Sequence, residues 1–328
     1  MAGRKVVEVI KEQRVIETLA DRHKRLALEW VDENKRFMKS VSELSFTKWR
    51  QAVLQKARYD LNNLSAIYLD DTLNMAYELN KLDTIPAKTL TKKQSLAVAG
   101  ATKTTGKTAK DNLIALMNLS YGILSSESTR YNAQGLTNTQ ITDAIMGSPA
   151  QRYKNGDMIR WINGARTHST TNVKAGVEAI RQARYENDSD VRGYVWDSVL
   201  DGNTSATCQG LNGKRFYFYR VVDGKRVSLS GYKPLPPIHP NCRSSTQPIV
   251  NGEPIPQVES FTAWANDPAN DKELLEALGP TRYDLYKTGT LKIERFTDAR
   301  FKPLTIEELI ESIRAPSAAE IANRQATL

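Results

Sequence analysis

The chain has 328 residues, 40% of them apolar and 25% charged. That composition supports packed cores in about two domains and excludes wholesale disorder, a collagen-like repeat or a lone coiled coil. Forty-six Lys and Arg stand against 37 Asp and Glu, a formal net charge of +9, and two cysteines are too few for a disulfide scaffold.

The first residues lack the apolar core of a secretion signal, and no apolar run approaches the ~20 residues that cross a bilayer. The expectation is a cytoplasmic product with no membrane anchor. Val9, Ile16, His23, Trp30, Phe37 and Leu44 recur every seven residues, with Leu19 and Leu26 at d-type positions. This predicts one long helix over 5–45 with a narrow apolar stripe. A second helix over 47–82 would pair with it through Trp49, Val53, Leu61, Leu64, Tyr68 and Leu73, and Ser42 to Ser45 offer cap chemistry between them.

After Pro86 the texture changes. Lys88, Lys92, Lys93, Lys103, Lys107 and Lys110 fall within 86–110 without one acid, which predicts a mobile basic linker. Its lysines are candidate DNA contacts, because a cation set against a phosphate releases a counterion. A solvated loop with no partner explains the same residues. Ala101-x4-Gly106-Lys107-Thr108 imitates a phosphate-binding loop, but Gly100 is one position out of register and no strand ending in an acid follows. Helices are expected over 109–125, 137–146 and 171–185. Arg160, Arg166, Arg181 and Arg184 recur at partly helical spacing and read first as a solvated face.

From Asp201 the chain becomes β-like and turn-rich. Asn212-Gly213 marks a turn, 215–222 is aromatic and β-branched, Asp223-Gly224 is a hairpin signal, and 225–229 returns as the partner strand. Residues 201–250 hold seven basic side chains against Asp201 and Asp223. Such a hairpin would set the chain before Gly213 beside the chain after Gly231, so Asp201, Cys208, His239 and Cys242 could converge. His239-x2-Cys242 has the half-site spacing of zinc, with Asp201 as an oxygen ligand. A metal site, a Cys208–Cys242 disulfide, and two unligated thiols beside a structural histidine all stay open. Beyond Phe261 the pattern is helical again, with a polar tail after Pro316.

The run D-x-x-T-S-x-x-C-x-x-L-N-G-K-x-F, followed by P-P-x-H-P-N-C-R, resembles the signature of the phage Mu F-like minor head, or head morphogenesis, proteins. Upstream, 163–176 is similar to the helix carrying that family's Arg-Thr pair, here Arg166-Thr167, and 193–201 to its approach strand. Downstream, 261–309 resembles its C-terminal stretch, including Leu278-Gly279-Pro280-x-Arg282 and Phe296-x-Asp298. Ser205 stands where the family often has Cys, and His168 where it often has an acid. The resemblance implies an α+β chain: a helical, portal-interacting region over 1–150, a head-morphogenesis domain over 151–312, and a tail over 313–328. It also implies a non-enzymatic virion protein, made in the host cytoplasm and placed inside the capsid near the portal. Its partners would be the portal protein, genomic DNA, scaffold and major capsid protein, and its roles head assembly, DNA packaging or DNA ejection.

Two enzyme readings compete. A ββα-metal nuclease would use His239 but needs a further metal ligand on a helix, and only His23, His168 and His239 exist. A thiol hydrolase would pair His239 with Cys208 or Cys242, which leaves little room for substrate in so short a turn. A cytosolic DNA-binding protein is the remaining alternative.

Overall fold

A computed structural model describes residues 2–81, 89–104 and 106–314. The protein is α+β: helices dominate, with a few short antiparallel strands. It divides into two compact units, Met1–Asn187 with Pro236–Cys242, and Asp188–Leu235 with Arg243–Leu328. Among the described residues no helix is long and apolar enough to cross a membrane.

The first unit is helical. Helix α1 (Ala2–Ser40) and helix α2 (Phe46–Lys81) are joined by a tight turn. The expected stripe is present but wider than a heptad seam: Ile16, Leu19, Ala20, His23, Ala27, Trp30, Val31, Asn34 and Met38 are all buried. A stripe of that width meets more than one neighbour. Leu44 is a correction, since α1 stops at Ser40 and leaves that side chain 40% exposed. Along α2, Trp49, Val53, Ala57, Leu61, Leu64, Tyr68, Thr72, Ala76 and Leu79 make one buried face at spacings of three and four.

The basic stretch is not a linker where it is described. Thr91 and Gln94 form a capping box that starts helix α3 (Lys92–Ala101). Strands β1 (Lys103–Thr104) and β2 (Lys107–Thr108) then pair around Gly106, and Thr108 caps helix α4 (Ala109–Ala133) through Asp111. Gly106-Lys107-Thr108 therefore turns a two-residue ribbon into a helix. Helix α5 (Asn138–Met146) follows, then helix α6 (Ile159–Glu186).

Helix α6 packs on α1, α2, α3 and α4. Because of it the chain divides after residue 187 rather than near 150. Trp30 and Trp161 meet at 4.9 Å between ring centroids. A Cβ at Gly176 would lie 2.8 Å from the Ala76 Cβ, so glycine is what lets α6 approach α2 this closely. Residues 168–178 of α6 are buried without a break, as expected of a central rather than a surface helix. Arg181 and Arg184, expected on a solvated face, are each only 5% exposed.

The second unit is built on a three-stranded antiparallel sheet. Strand β3 (Val191–Asp197) lies between β4 (Arg215–Tyr217) and β7 (Ser245–Val250), with helix α7 (Ala206–Leu211) connecting β3 to β4. A Cβ at Gly193 would lie 2.2 Å from the Phe216 carbonyl oxygen, so only glycine admits β4 at that point. The expected strand over 215–222 divides in two: 215–217 joins the sheet, while β5 (Tyr219–Val222) pairs with β6 (Lys225–Ser228) as a separate hairpin. Helices α8 (Phe261–Asn266), α9 (Asp271–Leu278), α10 (Pro280–Lys287) and α11 (Ile306–Arg314) gather around Phe261, Trp264, Leu274, Leu278, Ile293, Phe296 and Leu309. The tail over 315–328 lies outside the described residues.

Candidate functional site

The turn-rich segment is held by local hydrogen bonds that its sequence supplies. Ser205 caps α7 by accepting from the Cys208 amide at 3.3 Å, so its hydroxyl is committed to the helix end. The Trp196 indole donates to Ser198 Oγ at 3.0 Å, and Ser198 Oγ donates to the Cys208 carbonyl at 2.8 Å. Asn212 accepts from the Ser198 amide at 2.9 Å, and Gly213 turns the chain with φ +77°. These bonds fix α7 against β3 and leave the Cys208 side chain buried.

Asp201 does something other than the expected ligation. Arg243 Nη1 donates to its Oδ2 at 2.6 Å and Arg243 Nη2 to its Oδ1, while the Asn203 amide donates to Oδ1 at 2.9 Å and Thr204 adds a further bond. Burial works to raise the Asp201 pKa, but Arg243, the Asn203 amide and Thr204 outweigh it and hold the carboxyl below its ordinary range. Its carboxylate is engaged by a two-point ion pair and is not in the Cys-His set, so Asp201 is an anchor for Arg243 rather than a metal ligand.

His239 and Cys242 lie in one turn, in which the Cys242 amide donates to the His239 carbonyl at 3.2 Å. Between them Asn241 has φ +57°, accepts from Thr170 Oγ1 at 2.7 Å and donates its amide to Thr171 Oγ1 at 3.0 Å. His239 Nδ1 is 2.9 Å from the Pro240 carbonyl. A bond from one ring nitrogen to a backbone carbonyl is the kind that orients a ligating imidazole.

Cys208, His239 and Cys242 each offer one ligand atom, and these atoms lie within 4.8 Å of one another, the cysteines buried and the histidine half-buried. Neither cysteine is disulfide-bonded. Donors bound 2.0–2.3 Å from a tetrahedral ion sit about 3.5 Å apart, so small adjustments would bring this set to a metal. Two thiolates and an imidazole suit zinc among the common divalent ions. Three of the four residues expected to converge do so, and Asp201 does not join them.

The candidate DNA-contact lysines fall on four elements. Lys92 and Lys93 are exposed on the first turn of α3, Lys103 and Lys107 on β1 and β2, and Lys110 on the first turn of α4. Lys88 lies outside the described residues. Lys92 Nζ is 5.6 Å from the centroid of the Tyr77 ring.

Sequence reasoning did not anticipate the buried charges of the helical unit. Lys174 Nζ lies 2.5 Å from Glu12 Oε1 and 3.3 Å from Glu178 Oε1, while Arg181 Nη2 is 2.9 Å from Glu12 Oε2. Arg181 Nη1 also pairs with Glu178 Oε1, and the i, i+4 spacing of Lys174–Glu178 and the i, i+3 spacing of Glu178–Arg181 were the local signals. Comparison of the chain with protein-family models, curated proteins and solved structures finds no match.

Proposed function

We propose that this chain is a structural minor head protein of a tailed bacteriophage, docking at the portal vertex inside the capsid and touching the genome. The observation that carries the reading is the ordered signature: Asp201, Thr204, Cys208, Gly213, His239, Cys242 and Arg243 at that family's spacing, flanked on both sides by matching segments. Support also comes from what these residues do. Asp201 and Arg243 bind each other, Thr204 bonds Asp201, and Gly213 makes a turn, which are tasks of a scaffold rather than of a substrate site. The net charge of +9 suits a protein that works against packaged DNA.

Within this reading the metal is zinc, held by the two cysteine sulfurs and His239. Bound there it would supply cross-linking, not catalysis, tying segments about thirty residues apart in a chain whose cytosolic origin disfavours a disulfide. The test is location. Antibody labelling and mass spectrometry of purified particles are expected to find this chain at low copy number in portal-containing heads, and to lose it from heads assembled without portal. A chain absent from particles, or one that cleaves DNA with magnesium and stops doing so in His239→Ala, overturns the reading.

A further inference from the structure

The hairpin of β5 and β6 is exposed from residue 220 to residue 228, with Val221 63%, Val222 41% and Val227 41% exposed. A two-stranded ribbon bare on both faces has little core of its own, so its order must come from its base or from a partner. The base is well tied. The Phe218 amide donates to the Arg192 carbonyl at 2.9 Å and the Leu229 amide to the Phe218 carbonyl at 2.8 Å. Asn251 Nδ2 donates to the Tyr219 hydroxyl at 2.9 Å. Asp223 and Gly224, with φ +49° and +71°, close the tip in the primed turn that matches strand twist.

Charge identifies the partner. Residues 214–233 hold six basic side chains against Asp223 alone. The pairs Tyr219–Ser228, Arg220–Val227, Val221–Arg226 and Val222–Lys225 place Arg226 on one face and Arg220 and Lys225 on the other. None of these three makes an ion pair among the described residues, and Arg226 rests 4.7 Å from the Tyr219 ring centroid. A protein partner binding through apolar burial would ask for one uninterrupted apolar face. Cations on both faces instead suit an object with negative charge on two sides of a slot. The major groove of duplex DNA is such a slot, about 12 Å wide, flanked by two phosphate backbones and able to admit a two-stranded ribbon.

The geometry points to the β5–β6 ribbon as a DNA-contact arm, with Arg220, Lys225 and Arg226 set against phosphates on both sides of a duplex groove. It rests on the genome-contact half of the proposed function and not on the particle half. It also moves the contact away from the lysines of α3, β1, β2 and α4.

The test uses the full chain and random-sequence duplex DNA between about 50 and 200 mM salt, followed by fluorescence anisotropy. Replacing Arg220, Lys225 and Arg226 by Gln is expected to weaken binding at least about tenfold and to make the slope of log K against log salt shallower by about 2 to 3, near 0.9 per lost phosphate contact. Replacing Lys103, Lys107 and Lys110 by Gln should leave both quantities nearly unchanged. All six positions are exposed, and a far-ultraviolet spectrum checks that both variants fold. An unchanged ribbon variant, wild-type binding to polyglutamate or single-stranded RNA as tight as to duplex, or no duplex binding at all overturns the inference. The particle reading survives each of those results, because it is scored on purified heads.

Discussion

Arg243 holds Asp201 from forty-two residues away along the chain, with Nη1 2.6 Å from Oδ2 and Nη2 on the other carboxylate oxygen. The two side chains are 22% and 28% exposed, so the pair is partly shielded from water. Asp201→Asn is expected to cost about 1.5–3 kcal/mol in urea unfolding, the range for hydrogen bonds to charged groups. The carboxyl is held below its ordinary pKa, so its stabilisation is present above the unfolded value and is lost as pH falls through the folded one. Wild type should therefore lose its advantage over Asp201→Asn in acid. An advantage constant down to the acid limit would mean the carboxylate charge is not what Arg243 reads.

Metal content separates the Asp201 pair from the Cys-His set. Reduced protein purified with zinc should hold about one ion per chain, and Cys208→Ser or Cys242→Ser should lower that strongly. Asp201→Asn should leave it unchanged, because its oxygens are committed to Arg243. Content below about 0.1 per chain that Cys208→Ser does not alter would remove zinc from this protein.

Much of this site was legible because its devices are local. The hairpin turn at Asp223-Gly224, the turn at Gly213 and the His239-x2-Cys242 spacing depend on nearest neighbours, and each has the expected geometry or proximity. Asp201 was misread because a carboxylate beside thiols suits a metal and an arginine equally well, and only the position of Arg243 decides. The basic segment was misread for another reason. Its lysines suggested solvated coil, yet Thr91–Gln94 and Thr108–Asp111 are capping boxes that start helices. Arg181 looked solvated for want of any sign in the sequence that Glu12, far away on α1, would meet it.

His168 gives the helical unit a pH dependence of definite sign. It is 7% exposed, with Nε2 3.3 Å from the Ala109 carbonyl. Burial lowers its pKa from 6.5 to about 4, against the Ala109 carbonyl, which raises it, and with a small push from His23. The unfolded chain therefore takes up a proton below pH 6.5 that the folded chain refuses until about pH 4. At 1.36 kcal/mol per unit this removes about 3 kcal/mol across that interval. His23, also buried and lowered, acts in the same direction despite the partial offset from Asp71. His168→Gln keeps a donor for Ala109 and cannot titrate, so its stability should fall less steeply between pH 6.5 and 4. Parallel curves for the two proteins would show that His168 does not carry the effect.

Glu12 carries a charge of α1 into the buried ion-pair set of α6. It neutralises Lys174, whose side chain is 2% exposed, and also reaches Arg181. Burial opposes its ionisation, but Lys174 and Arg181 together hold its carboxyl well below the usual range. Glu12→Gln leaves Lys174 with Glu178 as its remaining carboxylate in this set, and the expected cost is about 3–5 kcal/mol in equilibrium unfolding. Lys174→Met alone should also destabilise, because Glu12 and Glu178 then share Arg181. Removing both charges, as Glu12→Gln with Lys174→Met, eliminates the unpaired ion that makes each single change costly. The double variant should be more stable than the sum of its singles predicts, by about 1–3 kcal/mol. Strict additivity would mean that Glu12 and Lys174 act independently, and that α1 is seated on α6 by its apolar stripe alone.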